Sequence, residues 1–146
     1  MSINRVTQDD LVAMRYGNQT FDKYQNLATS SANYPGKGTA LGVIYLTGKL
    51  NSEAGEMSGQ VFKAMRDDGF MQPWDTYDMH GNRTSVHDTL PPERRRKVVD
   101  ELGDVLWYVA ALAAELGLSL SGVAIGNLEK LADRTERGTL QGDGER

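Results

Sequence analysis

Apolar positions recur at spacings of three and four in four stretches of the chain, the pattern of amphipathic helices and not of strands. Thr20 is placed to cap a short helix whose Phe21, Tyr24, Leu27 and Ala28 share a face, and Tyr34-Pro-Gly-Lys-Gly38 stops it. A second helix is predicted from about Thr39, with Val43, Leu46, Leu50, Ala54, Met57, Val61 and Met65 as one buried stripe. Gly42, Gly48, Gly55 and Gly59 together forfeit roughly 3 to 4 kcal/mol of helix propensity there, so tertiary packing or close backbone approach has to hold the segment helical. A third helix follows Pro91-Pro92, carries Val98, Leu102, Val105, Val109, Leu112 and Leu116 as its stripe, and stops at Gly117. Ser119 is a good cap for a last helix that turns Leu120, Val123, Ala124, Leu128 and Leu131 inward. No segment alternates as a strand does, so the expected fold is all-α, a bundle of four or five helices.

Between residues 66 and 92 the helical pattern lapses into turn residues, interrupted by Phe70, Trp74 and Tyr77. A loop of this length in a compact domain is usually functional or disordered, and its aromatic residues favour partial order; they either anchor it, seal a subunit contact or close over a ligand. The end, residues 138–146, reads as a polar, glycine-rich tail. With 146 residues the chain is expected to form a single helical domain, 1–146, large enough for its own core.

Composition narrows the partners. A net charge of -4 argues against a nucleic-acid polymer, and a small anionic ligand needs a local positive device. The longest uninterrupted apolar stretch, Val105 to Ala114, is far shorter than the ~18 residues of a membrane span, and the opening MSINRVTQDDL lacks a signal-peptide core. A cytoplasmic protein without a membrane partner is expected. Cysteine is absent, which leaves oxygen and nitrogen groups to carry any chemistry.

The candidate chemistry sits in two acidic pairs. Ser52-Glu-Ala-Gly-Glu-Met57 places Glu53 and Glu56 three apart around a glycine, and Glu101-Leu-Gly-Asp104 repeats the form acid, x, Gly, acid. Three-apart residues on a helix are neighbours, so each pair repels. One such pair reads as a solvated face, with Lys49 four before Glu53 and Lys97 four before Glu101 to absorb charge. Two pairs, each beside the apolar stripe of its helix, point to convergence. Four carboxylates about 6 Å apart repel by roughly 2 to 3 kcal/mol per pair at an effective dielectric near 20, a total that rivals the ~5 to 15 kcal/mol stability of a domain. A hard divalent cation taking oxygen ligands neutralises them, Mg²⁺ above all, with Mn²⁺ as a substitute. Histidine is missing from both motifs, which weighs against a di-iron bundle; His80 and His87 fall in the long loop and read as surface residues. Asn127, Lys130 and Arg134 share one face of the last helix and are either the positive device or a solvated basic helix end. Tyr108 is either a core tyrosine or a substrate contact.

The ordered set Glu53-x-x-Glu56 and Glu101-x-x-Asp104 resembles the all-α nucleoside triphosphate pyrophosphohydrolases of the MazG type. The resemblance runs also through Tyr24-Gln25, Leu102-Gly-Asp-Val-Leu-Trp-Tyr108, Asn127-Leu-Glu-Lys130-Leu-Ala-Asp-Arg134 and Arg137-Gly-Thr139, covering about residues 21 to 146. The segment between the two acidic pairs is longer than that family's pattern, which makes 66–92 an insertion. The resemblance implies a homodimer or homotetramer that uses Mg²⁺ to cleave nucleoside triphosphates, deoxynucleotides foremost, between the α and β phosphates. Carried over, Glu53, Glu56, Glu101 and Asp104 hold the metal, and Lys130 with Asn127 contacts phosphate; Arg134 and Tyr108 also match family positions. Glu56 is the expected base for the attacking water. A non-catalytic partner-binding bundle, or a regulatory module binding nucleotide or metal, is the competing reading.

Overall fold

The computed structural model describes residues 9, 20–70, 79–82 and 89–137. The protein is all-α: among the described residues the helices are α1 (Phe21–Ser30), α2 (Ala40–Asp67), α3 (Pro92–Glu115) and α4 (Leu120–Glu136), with no strand. Each starts where its local chemistry allows. Thr20 Oγ1 accepts from the Lys23 amide at 3.1 Å and caps α1. Pro92 opens α3, where its missing N–H is no loss. That helix ends at Gly117, whose φ of 69° admits the left-handed turn. There Gly117 N donates to Ala114 O and Leu118 N to Ala113 O, the two bonds of a Schellman motif. α2 ends at Asp67 and α3 begins at Pro92, close to the limits of 66 and 92 predicted for the long connection. Trp74, Tyr77, His87 and the 138–146 tail lie outside the described residues.

Two compact units divide the chain, one of residues 1–46 with 109–146 and one of 47–108. In the first, α1 lies against α4 and organises its start. Gln25 is buried, and its Nε2 donates to Ala110 O at 3.2 Å and Leu118 O at 3.0 Å while its Oε1 accepts from Leu120 N at 3.0 Å. Asp22 Oδ1 accepts from Ser121 N at 2.8 Å, and Ser119 Oγ from Gly122 N at 2.9 Å. The first three amides of α4, which no helix satisfies internally, are thus all bonded, two of them by side chains of α1. The Ser121 amide holds the Asp22 carboxyl below the usual carboxylate range.

The start of α2 is held in the same way from a distance. Glu115, at the end of α3, accepts from Tyr34 Oη at 2.7 Å and from the Gly38 amide. The Tyr34 hydroxyl, followed by the Gly38 and Thr39 amides, depresses the Glu115 carboxyl, and burial together with that carboxylate pushes Tyr34 up to about 12. Tyr34 also stacks on Tyr45, ring centroids 6.2 Å apart.

The buried positions differ from the predicted stripes. Leu46, Ala64, Ala110, Ala111, Ala113 and Leu120 are the buried apolar residues, whereas Met65, Leu102, Leu116, Val123, Leu128 and Leu131, expected inside, are exposed. Ala110 and Ala113 of α3 pack with Leu120, Tyr24 and Val109, beside the bond from the Gln25 amide to the Ala110 carbonyl. The buried line of α2 is rotated as well: it runs through Leu46, Glu53 and Ala64, so a carboxylate occupies a core position.

The glycines of α2 separate into two kinds. A Cβ on Gly42 would lie 2.6 Å from Gly36 O and would also strike the Glu115 carboxylate, while at Gly48, Gly55 and Gly59 it would meet nothing within 4 Å. Close approach within this chain therefore explains Gly42 alone, not Gly48, Gly55 or Gly59, and Gly103 is open too. Gly42→Ala should lower stability by about 1 to 3 kcal/mol, overpacking outweighing a helix-propensity gain of about 1 kcal/mol. Gly48→Ala and Gly59→Ala should each raise it by about 0.5 to 1 kcal/mol. Urea unfolding checks both signs; a loss at Gly48 or Gly59 would show that another molecule lies against that face.

Candidate metal centre

The unit of residues 47–108 contains both acidic pairs, on the two helical segments that flank the long connection. One carboxylate oxygen from each of Glu53, Glu56 and Glu101 lies within 4.8 Å of the others. Glu53 is buried, Glu101 half-buried and Glu56 exposed, so the cluster opens from the interior to solvent. Asp104 is exposed and falls outside this group, although its place three residues after Glu101 keeps it on the same side of α3. Three of the four predicted acids are therefore together, and one is not.

Their partners differ. Lys49 Nζ lies 2.7 Å from Glu53 Oε1, the i,i+4 pair that the sequence allowed. Ser52 Oγ reaches Glu56 Oε1 only at 3.4 Å, a weak bond. The alternative partner for Glu101 does not engage it, because Lys97 turns to Glu93 at 3.0 Å. Lys49 Nζ also stands 5.7 Å from the ring centre of Tyr108, within cation–π range, and Trp107 meets Tyr108 edge-on with centroids 4.9 Å apart. Tyr108 is half-buried and belongs to the surroundings of the acids through Lys49. Two residues escaped sequence reasoning. Lys49 appeared only as a charge absorber, and Gln60, seven residues after Glu53, holds a buried Oε1 with no hydrogen-bond partner. The signal for Gln60 was the spacing Leu46, Glu53, Gln60, one side of the helix at two-turn intervals.

Arg94 joins the ends of the long connection, its Nε 2.7 Å from Asp68 Oδ2 and its guanidinium 3.7 Å from Asp67. This pair fixes where α2 ends relative to where α3 begins, and so helps set the two acid-bearing segments side by side.

The other predicted residues lie on α4, in the other unit. Lys130 is half-buried and lines a groove with Gly126, Glu129, Asp133 and Arg137. Arg137 is paired with Asp133 at 2.6 Å. Asn127 is exposed and Arg134 half-buried, neither lining that groove.

The MazG nucleotide pyrophosphohydrolase domain matches residues 45–139, from the second turn of α2 to just past α4, with both acidic pairs inside. The chain belongs to this family. It is 39% identical over 128 residues to the gene 37 protein of Mycobacterium phage L5, covering 85% of this chain and 96% of that one. It is also 30% identical over 98 residues to the uncharacterized protein YvdC of Bacillus subtilis strain 168, covering 67% of this chain and 80% of the other. No solved structure matches it. The MazG match supports nucleotide pyrophosphohydrolase activity in general, and the gathered carboxylates give such a domain an oxygen donor set. Among the described residues no single helix is long and apolar enough to cross a membrane.

Proposed function

We propose that this MazG protein hydrolyses nucleoside triphosphates, deoxynucleotides foremost, between the α and β phosphates, giving a nucleoside monophosphate and pyrophosphate with Mg²⁺, for which Mn²⁺ substitutes. The observation that carries the reading is the gathering of Glu53, Glu56 and Glu101 within 4.8 Å in a chain of this family. The donor set fits the ion: the ligands are hard carboxylate oxygens, and one from each acid lies within 4.8 Å of the others, near enough for one cation to be shared. Glu53, Glu56 and Glu101 would hold it, with Asp104 joining from the next turn of α3. When bound, the ion supplies charge neutralisation for the phosphates and acidifies water.

The remaining roles fall to the chain itself. Glu56, exposed and only weakly bonded to Ser52, takes the proton of the attacking water. The water oxygen bonds to phosphorus as the bridging P–O bond breaks, and pyrophosphate leaves with the electron pair. Lys130 and Asn127 contact the phosphates, and Arg134 and Tyr108 line the bound nucleotide. The protein works in the cytoplasm as a homodimer or homotetramer, which accords with exposed Phe62, Val99, Leu102 and Leu106 in the acid-bearing unit.

A panel of deoxy- and ribonucleoside triphosphates assayed for pyrophosphate, with and without Mg²⁺, tests the reading. Turnover should require the metal and favour deoxynucleotides, and absence of pyrophosphate from every member would refute it. Lys130→Ala should raise KM about tenfold, a removed phosphate contact, with Mg²⁺ affinity unchanged; an unaltered KM and kcat would remove Lys130 from the site.

A further inference from the structure

The ion pair between Lys49 and Glu53 does not resemble an ordinary surface i,i+4 pair, because its acid is buried: the Glu53 side chain is 11% exposed against 36% for Lys49. Burying a carboxylate demands a partner. That partner stands 2.7 Å from one of the three clustered carboxylates and 5.7 Å from the Tyr108 ring centre, so the ammonium is held between an acid and an aromatic face. The charges define what happens when the site fills. Three carboxylates and one ammonium leave a net charge of about -2, which a divalent cation cancels; a triphosphate then brings up to about four further negative charges and needs positive groups of its own. Of the other described cations in this unit, Arg66, Arg94 and Lys97 are bonded to Asp67, Asp68 and Glu93, and Lys63, Arg95 and Arg96 are exposed.

We propose that Lys49 is this site's own phosphate-binding cation, pairing with Glu53 while the carboxylates stand alone and turning to the triphosphate once a divalent cation takes its place on Glu53. A lysine suits the exchange, since its ammonium is a compact charge with three donors on a flexible stem. The Tyr108 ring keeps it near the acids as it changes partner. Rivalry for Glu53 gives the proposal a distinctive sign: removing the ammonium frees an oxygen for metal and withdraws a donor from phosphate, so the two affinities move in opposite directions. The inference rests on the pyrophosphohydrolase reading.

Two variants test it. Lys49→Gln removes the charge yet keeps an N–H for Glu53, which protects the fold, and Lys49→Arg keeps the charge. Calorimetry with Mg²⁺ alone, and with a non-hydrolysable α,β-methylene deoxynucleoside triphosphate at saturating Mg²⁺, reads the two affinities. For Lys49→Gln the analogue should bind about tenfold or more weakly, as for a lost charged contact, and Mg²⁺ should bind several-fold more tightly. Lys49→Arg should hold the analogue within about threefold of wild type. Unchanged analogue affinity in Lys49→Gln overturns the proposal, and so does a parallel loss of Mg²⁺ affinity, which marks a merely structural lysine. Analogue binding needs no turnover, so a wild type that binds it without releasing pyrophosphate from true substrates refutes the hydrolase reading while still testing Lys49. A wild type that binds no analogue overturns both.

Discussion

Replacing Glu53, Glu56 or Glu101 by glutamine is expected to lower Mg²⁺-dependent pyrophosphate release by roughly a thousandfold, the scale of losing metal-based activation, with the helical circular dichroism unchanged. Each substitution keeps shape and removes one charge from oxygens that lie within 4.8 Å of one another. Asp104→Asn is expected to cost roughly a hundredfold, less because Asp104 has to turn in from outside that group. Stability without metal supplies a second signature. Glu56→Gln and Glu101→Gln should leave the apo-protein more stable, since a repelling charge goes and no strong partner is lost. Glu53→Gln should not, because Lys49 loses its counter-ion. Full activity in any two of the four variants would sink the single metal site, and equal stabilisation by all three glutamines would show that the Lys49 pair contributes nothing. Pyrophosphate assay and thermal unfolding in a chelator read the two effects separately.

The largest stability loss is expected at a residue that touches no acid. Gln25→Leu preserves volume but deletes three hydrogen bonds at once, leaving the Leu120 amide without its acceptor and the Ala110 and Leu118 carbonyls without a donor. Buried groups stripped of partners cost about 1 to 3 kcal/mol each; the Ala110 carbonyl lies inside α3 and is the least affected, so a total of about 2 to 5 kcal/mol is expected. At roughly 3 to 4 °C per kcal/mol for a chain of this size, Tm should fall by about 6 to 20 °C. Gln25→Glu separates donors from acceptors: its oxygen still accepts from Leu120 N, but an ionised carboxylate faces two carbonyls. Its deficit should therefore shrink as pH falls and the acid regains a proton to donate. A Tm within about 2 °C of wild type would show that α4 docks without this amide.

The helices themselves were legible because their determinants are local. Thr20, Pro92, Gly117 and Ser119 act within one turn of their own backbone, so a cap or a stop can be read without knowing what lies opposite. The acidic pairs were legible for a related reason. Two like charges three apart on one helix are unfavourable on their own, and their recurrence in the order of the MazG pattern asked for a common cause; three of the four residues lie together in the structure. What stayed hidden depends on distance along the chain. Nothing near Gln25 announces that its amide meets residues 85 to 95 positions away, or that Glu115 reaches back 77 positions to the Gly38 amide.

The same division accounts for the misplaced core. Periodicity names the apolar side of a helix but not which part of that side another segment covers, so Leu102, Val123 and Leu128 read as interior yet remain exposed while alanines fill the contact beside Gln25. It placed Glu53 and Glu56 alike beside the apolar stripe, and only the structure shows Glu53 buried while Glu56 is exposed. The sequence by itself determined the class of fold, the helix limits and the identity of the acids, because each rests on a few neighbouring residues and a fixed period of 3.6. Only the tertiary structure decided which acids meet, that Lys49 rather than Lys97 answers one of them, and that Gly42 alone among the α2 glycines with room resolved is pressed by its neighbours. Those outcomes depend on side chains brought together from separate segments, and a one-dimensional period carries no information about separations across space.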